Sequence, residues 1–211
     1  MLYQDITVLI TSFKSDKKIE ECLKSINSKI NIIVVENSNN IKFKSKIENN
    51  FSNCKCILAG ENLGYAKGNN LGLKHITTKY ALILNPDALL DSNAIENFLI
   101  TAEKIKDFAL IGPLVQEKHK KIKLDTSKDS NLIEVNNIKG FAMFLNMSQF
   151  DSIGFFDNNF FIYFEEIDLC RRVKQNNQKI YLDASIKINH VGGSSHDKDF
   201  DFEMELSRNW H

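Results

Sequence analysis

Hydrophobic and polar positions in the first half of the chain fall into blocks that predict strands followed by helices. Short continuous apolar runs are typical of buried strands, and apolar residues spaced three and four apart are typical of helices packed on a sheet. The runs predict strands at 5–11, 30–35, 54–59 and 80–84. The spacing predicts helices from about 16, at 42–50, from the loop at 60–70 to about 76, and from about 92 to 105. This alternation indicates an α/β fold with a mostly parallel sheet flanked by helices.

The second half is less regular, and its most unusual stretch is the densely aromatic segment 155–164. Strands are predicted at 108–115, 140–145 and 179–189, with a helical turn at 148–153 and a helix at 165–177. The lysine-rich segment 117–131 is expected to form a hairpin or a mobile loop. Because the chain stops inside what reads as a starting helix, we expect the natural protein to continue past His211.

Composition narrows the class of protein. A chain of 211 residues with 43% hydrophobic residues suits one domain with a full core. The 27 basic residues match the 27 acidic ones, which argues against a nucleic-acid partner. No apolar run is long enough to cross a bilayer and no signal sequence is evident, so a cytoplasmic location is expected. The cysteines are expected in the core, because their spacing does not suit a zinc site: Cys22, Cys54, Cys56 and Cys170.

Asp87 follows the most clearly buried strand, 80–84. Pro86 stops that strand, which places the Asp87 carboxylate just past its carboxyl end, where open α/β sheets bind ligands. Asp91 or Ser92 is expected to cap the next helix, which leaves Asp87 available for Mg²⁺ or Mn²⁺. The alternative is that Asp87 is itself only a helix cap.

The segment 60–70 contains three glycines before a predicted helix. Such a loop lets the backbone approach a diphosphate at the positive end of a helix. It matches neither of the common glycine-rich nucleotide motifs, so an ordinary turn between a strand and a helix explains it equally well.

Helical spacing at 165–177 places Glu165, Asp168 and Arg172 on one face. The other face would carry Ile167, Cys170 and Val173. An ordinary ion pair between Asp168 and Arg172 is expected. Glu166 stands beside the aromatic segment, which would raise its pKa toward that of a general base, although an acidic first turn that favours the helix dipole is the alternative. His190, at the end of the last strand, is either a structural residue or a second metal ligand.

The order of these motifs carries more information than any one of them. They lie at 11–13, 34–38, 62–70, 84–87, 140–143, 154–157, 160–169 and 190–194. The series closely resembles the family-two inverting glycosyltransferases, particularly the rhamnosyltransferase-like branch that builds bacterial surface polysaccharides. The resemblance covers nearly the whole chain. It implies a GT-A fold, with a nucleotide-sugar half to about residue 115 and an acceptor half from about 116 to 211.

The resemblance also assigns roles to individual residues. It implies that Thr11 and Glu36 touch the base and ribose of a UDP-, dTDP- or GDP-linked sugar. The remaining nucleotide-sugar residues would be Ser12, Asn62, Gly64, Lys67, Asn70, Asn85 and Gly140. Asp87 and His190 would hold Mn²⁺ or Mg²⁺ on the diphosphate. Glu166 falls at the position of the catalytic base, directly after Glu165.

The implied reaction is a single displacement in which the base deprotonates an acceptor hydroxyl and the sugar inverts. Glu36 and Glu166 both stand where aspartate is usual, so Glu165 is an alternative base. The acceptor would be a glycan or a lipid-linked glycan, with the intact enzyme at the inner face of the plasma membrane through a missing carboxyl-terminal part. A catalytically weak nucleotide-sugar-binding subunit is the first alternative. A sugar-phosphate nucleotidyltransferase is less favoured, because 11–15 lacks glycine and arginine.

Overall fold

The computed structural model describes residues 3–114 and 131–190. The strands are β1 (Ile6–Ser12), β2 (Asn31–Glu36), β3 (Cys54–Leu58), β4 (Tyr80–Leu84), β5 (Ala88–Leu90), β6 (Leu110–Pro113), β7 (Leu132–Glu134), β8 (Ala142–Asn146), β9 (Ile180–Asp183) and β10 (Ile188–His190). The helices are α1 (Asp16–Lys24), α2 (Ile41–Asn50), α3 (Gly64–Leu73), α4 (Ala94–Lys104), α5 (Phe150–Ile153) and α6 (Glu165–Gln175). Residues 117–130 of the loop predicted at 117–131, the motif residues after 190 and the expected final helix lie outside the described residues.

An eight-stranded sheet organises the chain, in the order β3-β2-β1-β4-β8-β6-β9-β7. The four strands from β3 to β4 are all parallel. The second half is mixed, because β8 runs antiparallel to both β4 and β6 while β9 is parallel to β6. The predicted α/β fold with a mostly parallel, helix-flanked sheet is therefore confirmed, and every antiparallel pair includes at least one strand from the less regular half.

The predicted strand at 179–189 is wrong, because it forms two strands in different sheets. After β9, the Asp183 carboxylate accepts hydrogen bonds from the amide and the hydroxyl of Ser185, at 2.8 Å and 2.6 Å, and this turns the chain. β10 then pairs antiparallel with β5 in a separate two-stranded sheet, where His190 lies opposite Ala88. This small sheet brings the end of the described chain back to the residue after Asp87.

The expected cap of α4 is also wrong. Asn93 holds the cap position, and within the described residues its side chain makes no capping hydrogen bond. The segment after Asp87 forms β5 before the helix begins, and the Asp91 amide donates to the Lys187 carbonyl at 3.1 Å. Asp87 therefore does not cap a helix, but the reason is the intervening strand and not a competing cap.

Side chains from alternate strand positions fill two cores, one on each face of the sheet. On one face, the rings of Phe98 and Phe144 stack with centroids 5.0 Å apart, and Tyr80 packs against Phe144 at 4.9 Å. Burying each such ring contributes roughly 2–3 kcal/mol. All four cysteines lie in the described residues, and each is buried and unbridged, as predicted. None of the helices in 3–114 and 131–190 is long and apolar enough to span a membrane.

Candidate active site

The carboxyl ends of β2, β1 and β4 meet at one edge of the sheet, where α/β folds present ligand-binding residues. Ser12 ends β1 and lies opposite Glu36, which ends β2. Asn85 directly follows β4, on the other side of β1. The parallel register therefore brings three of the predicted site residues to one edge, with Asp87 just beyond them.

A tight turn over 85–88 fixes Asp87. The Asn85 amide continues the pairing of β4 with β8 by donating to the Phe141 carbonyl at 2.8 Å, and the Ala88 amide donates to the Asn85 carbonyl at 3.1 Å. The Asp87 side chain is only 3% exposed, and its Oδ1 lies 3.3 Å from His190 Nε2. The His190 ring stacks flat on Phe141 with centroids 4.3 Å apart. The two predicted metal-site residues are thus adjacent, although 103 positions of sequence separate them.

The donor set at Asp87 and His190 suits a divalent ion that takes its other ligands from a substrate. Mg²⁺ and Mn²⁺ commonly use one or two protein carboxylates together with waters and phosphate oxygens. Within the described parts of the chain, three or more His, Cys, Asp or Glu residues never cluster in a way that could hold a metal. A carboxylate and an imidazole fit a divalent ion that takes its remaining ligands from a diphosphate and from water.

The Glu36 carboxylate holds the turn that follows β2. Its Oε1 accepts a hydrogen bond from the Ser38 amide at 3.0 Å, and its Oε2 accepts one from the Asn40 amide at 2.6 Å. Glu36 is 1% exposed, so these bonds replace solvent on both oxygens. Beside it, Ser12 Oγ and Asn37 Oδ1 are buried and find no hydrogen-bond partner among the described residues. Polar atoms of this kind are candidates for contacts with a bound ligand.

Thr11 points toward α3 and not along the sheet edge. Its hydroxyl donates to Asn69 Oδ1 at 2.9 Å, and Asn69 Nδ2 donates to the Tyr65 carbonyl at 3.0 Å. The Thr11 methyl group would lie 2.6 Å from a Cβ at Gly68, so the helix can pack this closely only with glycine there. Thr11 therefore joins β1 to α3.

The start of α3 is fixed against the aromatic segment. Asn62 Oδ1 accepts the Gly64 amide at 3.1 Å, and the next amide, of Tyr65, donates to the Phe161 carbonyl at 2.7 Å. Gly64 has φ +72°, and a Cβ there would lie 2.3 Å from the Phe161 oxygen. Only glycine combines this conformation with such close approach. Lys67 is exposed on the first turns of α3.

Two polar side chains clamp the segment that leads into the aromatic run. Asn70 donates to the Phe156 carbonyl at 2.8 Å and accepts the Phe156 amide at 3.0 Å. From α6, Arg172 donates to the Ile153 carbonyl at 2.9 Å and the Phe155 carbonyl at 2.6 Å. Arg172 also forms the predicted ion pair with Asp168, at 2.7 Å. This ion pair is therefore part of a larger anchor for residues 153–156.

Glu165, and not Glu166, occupies the desolvated position at the start of α6. It is 5% exposed, and its Oε2 has no hydrogen-bond partner in the described residues. Burial, and secondly the charge of Glu166, raise the pKa of Glu165 to about 8. The predicted helix faces are also corrected, because Ile167 is 49% exposed while Glu165 turns inward with Leu169 and Cys170.

Tyr65 links the two carboxylates to the rest of the site. Its hydroxyl donates to the Gly140 carbonyl at 2.5 Å, and its ring meets Phe156 edge-on at 5.9 Å. Burial and the nearby charges of Glu165 and Glu166 raise the pKa of Tyr65 well above its ordinary value. Glu166 is half-buried, and a Cβ at Gly140 would lie 3.5 Å from the Glu166 Cβ.

The predicted site residues therefore form two groups and a connecting helix. The first is the sheet edge with Asp87 and His190, and the second is Gly140 with Glu165 and Glu166. The connecting helix α3 carries Gly64, Lys67 and Asn70. Sequence reasoning missed Tyr65, Asn37 and Phe141. Each is the sequence neighbour of a predicted site residue. The motifs therefore located the right segments but did not show which neighbouring side chain faces the site.

Comparison of the sequence with known proteins finds glycosyltransferases. The profile of the family described as "Glycosyl transferase family 2" matches residues 7–171. The low-salt glycan biosynthesis hexosyltransferase Agl10 of Haloferax volcanii is 25% identical over 202 residues. That alignment covers 85% of this chain and 64% of the relative, so this chain spans less than two thirds of the relative's length.

Solved structures share the fold at low sequence identity. The mannosyltransferase PcManGT of Pyrobaculum calidifontis, in complex with GDP-Man and Mn²⁺, superimposes with a TM-score of 0.75 at 14% identity, covering 90% of this chain and 58% of that one. GalNAc-T7 with UDP, GalNAc and Mn²⁺ gives a TM-score of 0.74 at 12% identity, covering 88% and 43%.

Proposed function

Because this chain belongs to glycosyl transferase family 2, we propose that it moves a sugar from a nucleoside-diphosphate donor to a hydroxyl of a glycan or lipid-linked acceptor. The observation that carries the proposal is the buried Asp87 carboxylate 3.3 Å from His190, at the carboxyl edge of parallel strands. Such a pair would hold a divalent ion on the diphosphate. The relative Agl10 is named as a hexosyltransferase of glycan biosynthesis, which supports a role in glycan assembly for this chain. Our proposed product is a bacterial surface polysaccharide.

The reaction that fits these residues is a direct displacement. A bound Mn²⁺ or Mg²⁺ supplies neutralising charge to the departing nucleoside diphosphate. Glu166 accepts the proton of the acceptor hydroxyl while its oxygen forms a bond to the anomeric carbon. The bond from that carbon to the phosphate oxygen breaks on the opposite face, so the configuration inverts. Glu165 lies beside this base. Because the pKa of Glu165 is raised to about 8, it is mostly protonated at neutral pH and adds no second full charge.

Donor binding is tested first by thermal unfolding with UDP, dTDP, GDP and their sugars, each with and without Mn²⁺. A ligand that binds only the folded protein raises Tm as its concentration passes Kd. We expect a metal-dependent rise with one base, which identifies the donor class. The Asp87→Ala variant should lose that rise. Asp91→Ala, which removes an exposed aspartate four positions away, should keep it.

Absence of a shift with every nucleotide, in folded wild-type protein supplied with Mn²⁺, would contradict the proposal. A Tm rise that does not need the metal, or that persists in the Asp87→Ala variant, would show that Asp87 does not hold a metal in the donor site. A lipid-linked acceptor would place the reaction at the inner face of the plasma membrane, and vesicles carrying such an acceptor test that step separately.

Turnover distinguishes a transferase from a nucleotide-sugar-binding subunit. The Glu166→Gln variant removes the proposed base without changing side-chain size, so transfer should fall by about 10²–10⁴-fold while the nucleotide-induced Tm rise remains. Glu166→Asp restores a carboxylate one methylene shorter and should recover part of the rate. If wild-type protein binds the donor but forms no product with any acceptor, the binding-subunit alternative is correct.

A further inference from the structure

The start of α6 exposes a compact apolar surface. We call the two aromatic residues Tyr163 and Phe164, together with the neighbouring Ile167, the aromatic rim. Their side chains are 37%, 50% and 49% exposed. Within the described residues, Ile41 is the other large apolar side chain that is exposed. Isolated exposed apolar residues are ordinary, but three together beside a candidate base are unusual.

The backbone is strained where it carries the rim. Tyr163 has φ +67° and Phe164 has φ +70°, both in the left-handed region. For residues with a Cβ this conformation costs roughly 1 kcal/mol or more each, and consecutive instances are uncommon. The strained pair leaves both rings partly in solvent while the next side chain, Glu165, is buried. Strain kept in place by its surroundings is a feature of functional sites.

Backbone hydrogen bonds hold the rim on both sides. On its amino-terminal side, the Phe161 carbonyl accepts the Tyr65 amide at 2.7 Å, which ties the segment to α3. On the other side, the Phe164 carbonyl accepts the Asp168 amide at 2.9 Å, which closes the first turn of α6. The rim is therefore a prearranged surface, and a ligand that used it would not need to order it first.

We propose that the aromatic rim binds the apolar face of a sugar ring of the acceptor, which rests on the proposed function. The ring C–H groups of a pyranose carry partial positive charge, and they pack well on the negative face of an aromatic ring. The Phe164 and Glu166 Cα atoms are two peptide units apart, at most about 7 Å, so the rim and the proposed base belong to the same helix start. Acceptor capture and deprotonation would then occur at the same helix start.

The charge around the rim argues against other occupants. Glu166 and Asp168 follow Phe164 within four positions, and Asp168 is 11% exposed and paired with Arg171 and Arg172. A half-buried carboxylate at Glu166 would repel the phosphates of the donor and the headgroups of an anionic membrane. The hydroxyl groups of a neutral sugar can instead donate hydrogen bonds to it.

Saturation-transfer NMR tests the rim directly. The probes are the methyl glycosides of glucose, galactose, mannose, rhamnose and N-acetylglucosamine, added to protein that holds its nucleoside diphosphate and Mn²⁺. We expect transfer from the protein to the ring protons of at least one glycoside, and a loss of fivefold or more in Phe164→Ala. Phe164→Leu should lose it as well, because leucine keeps the apolar volume without the aromatic face. Phe164→Trp should retain it.

Controls separate this inference from the proposed function. Ile41→Ala changes an exposed apolar residue on another helix and should leave the transfer unchanged. The nucleotide-induced Tm rise should be equal in wild type and all Phe164 variants. If the rise is absent in wild type, the proposed function fails; if it is present, the rim alone is under test.

Three results would overturn the inference. The first is a normal nucleotide-induced rise in wild type without transfer to any glycoside. The second is transfer that survives in Phe164→Ala and Phe164→Leu. The third is binding to phosphatidylglycerol vesicles that Phe164→Ala abolishes while glycoside transfer stays unchanged, which would make the rim a membrane contact.

Discussion

The polar residues at the start of α3 and those at the start of α6 differ in how their hydrogen bonds are used. Around α3, Asn62 and Asn70 bond to nearby backbone, and Thr11 bonds to Asn69. At α6, the Glu165 carboxylate is buried with one oxygen that no described residue satisfies. The residue before it is left-handed and half in solvent.

This difference suggests which residues hold the structure in place and which take part in the reaction. A side chain whose hydrogen-bonding atoms are all engaged within the protein fixes geometry, and its loss should cost stability. A group kept desolvated or strained already costs stability, so its replacement should leave the fold intact or strengthen it. The α3 side would then be the frame of the donor site, and the α6 side would carry the reaction.

The largest expected effect on stability is at Glu165, which tests the α6 side. Its pKa is about 8 in the folded protein against 4.5 for the free group, so the folded state binds the proton more tightly. Stability therefore falls as pH rises from about 4.5 to 8, and is unaffected by this group below that range. Glu165→Gln removes the ionisation and should be more stable than wild type at pH 8, by on the order of 4 kcal/mol.

Urea unfolding of both proteins from pH 4 to pH 9 measures this difference. The two curves should meet near pH 4 and separate as the pH rises. Parallel curves would show that Glu165 titrates normally, and the contrast between the two helix starts would then be lost. Retained transfer in Glu165→Gln, beside the loss in Glu166→Gln, would identify Glu166 as the base.

On the α3 side, Gly64→Ala should be strongly destabilising. The new Cβ would meet the Phe161 backbone oxygen at 2.3 Å while φ stays at +72°. Displacement of the backbone should cost roughly 3 kcal/mol. Gly60→Ala is the matched control, because Gly60 has φ +83° but nothing within 4 Å of a Cβ, so only about 1 kcal/mol of conformational strain is expected. Equal losses in the two variants would mean that contact with Phe161 does not matter.

Asn70→Ala should cost roughly 2 kcal/mol, because it leaves the amide and carbonyl of Phe156 without their partner. Asn158→Ala is the control, since it removes only one exposed contact of the same side chain. If Asn70→Ala instead left stability unchanged and weakened nucleotide binding tenfold or more, Asn70 would be a ligand contact. The residues around α3 would then not all serve only to hold the structure in place.

The parts of the fold that follow from local pattern were predictable. The apolar run at 80–84 and Pro86 defined β4 and the position of Asp87, and β4 has the predicted bounds. The division between β9 and β10 was missed, because apolar residues recur on both sides of Asp183 and Ser185 and so resemble one alternating strand, whereas these two polar residues form a turn. Burial of Glu165 rather than Glu166 was missed for a similar reason. The helix face depends on the left-handed residues before it, and no pattern in the sequence indicates them.

The smallest expected effect concerns the strain itself, at Phe164. Glycine adopts φ +70° without a steric penalty, whereas alanine keeps a Cβ there, so Phe164→Gly should be more stable than Phe164→Ala by about 1 kcal/mol. Both variants lack the ring, and urea unfolding at one pH isolates the backbone contribution. At the exposed Ile167, within the helix, the same pair of substitutions should have the opposite order, because glycine in a helix is less stable than alanine by roughly 1 kcal/mol. If alanine is the more stable at both positions, the start of α6 relaxes away from the left-handed region, and the aromatic rim is not held by strain.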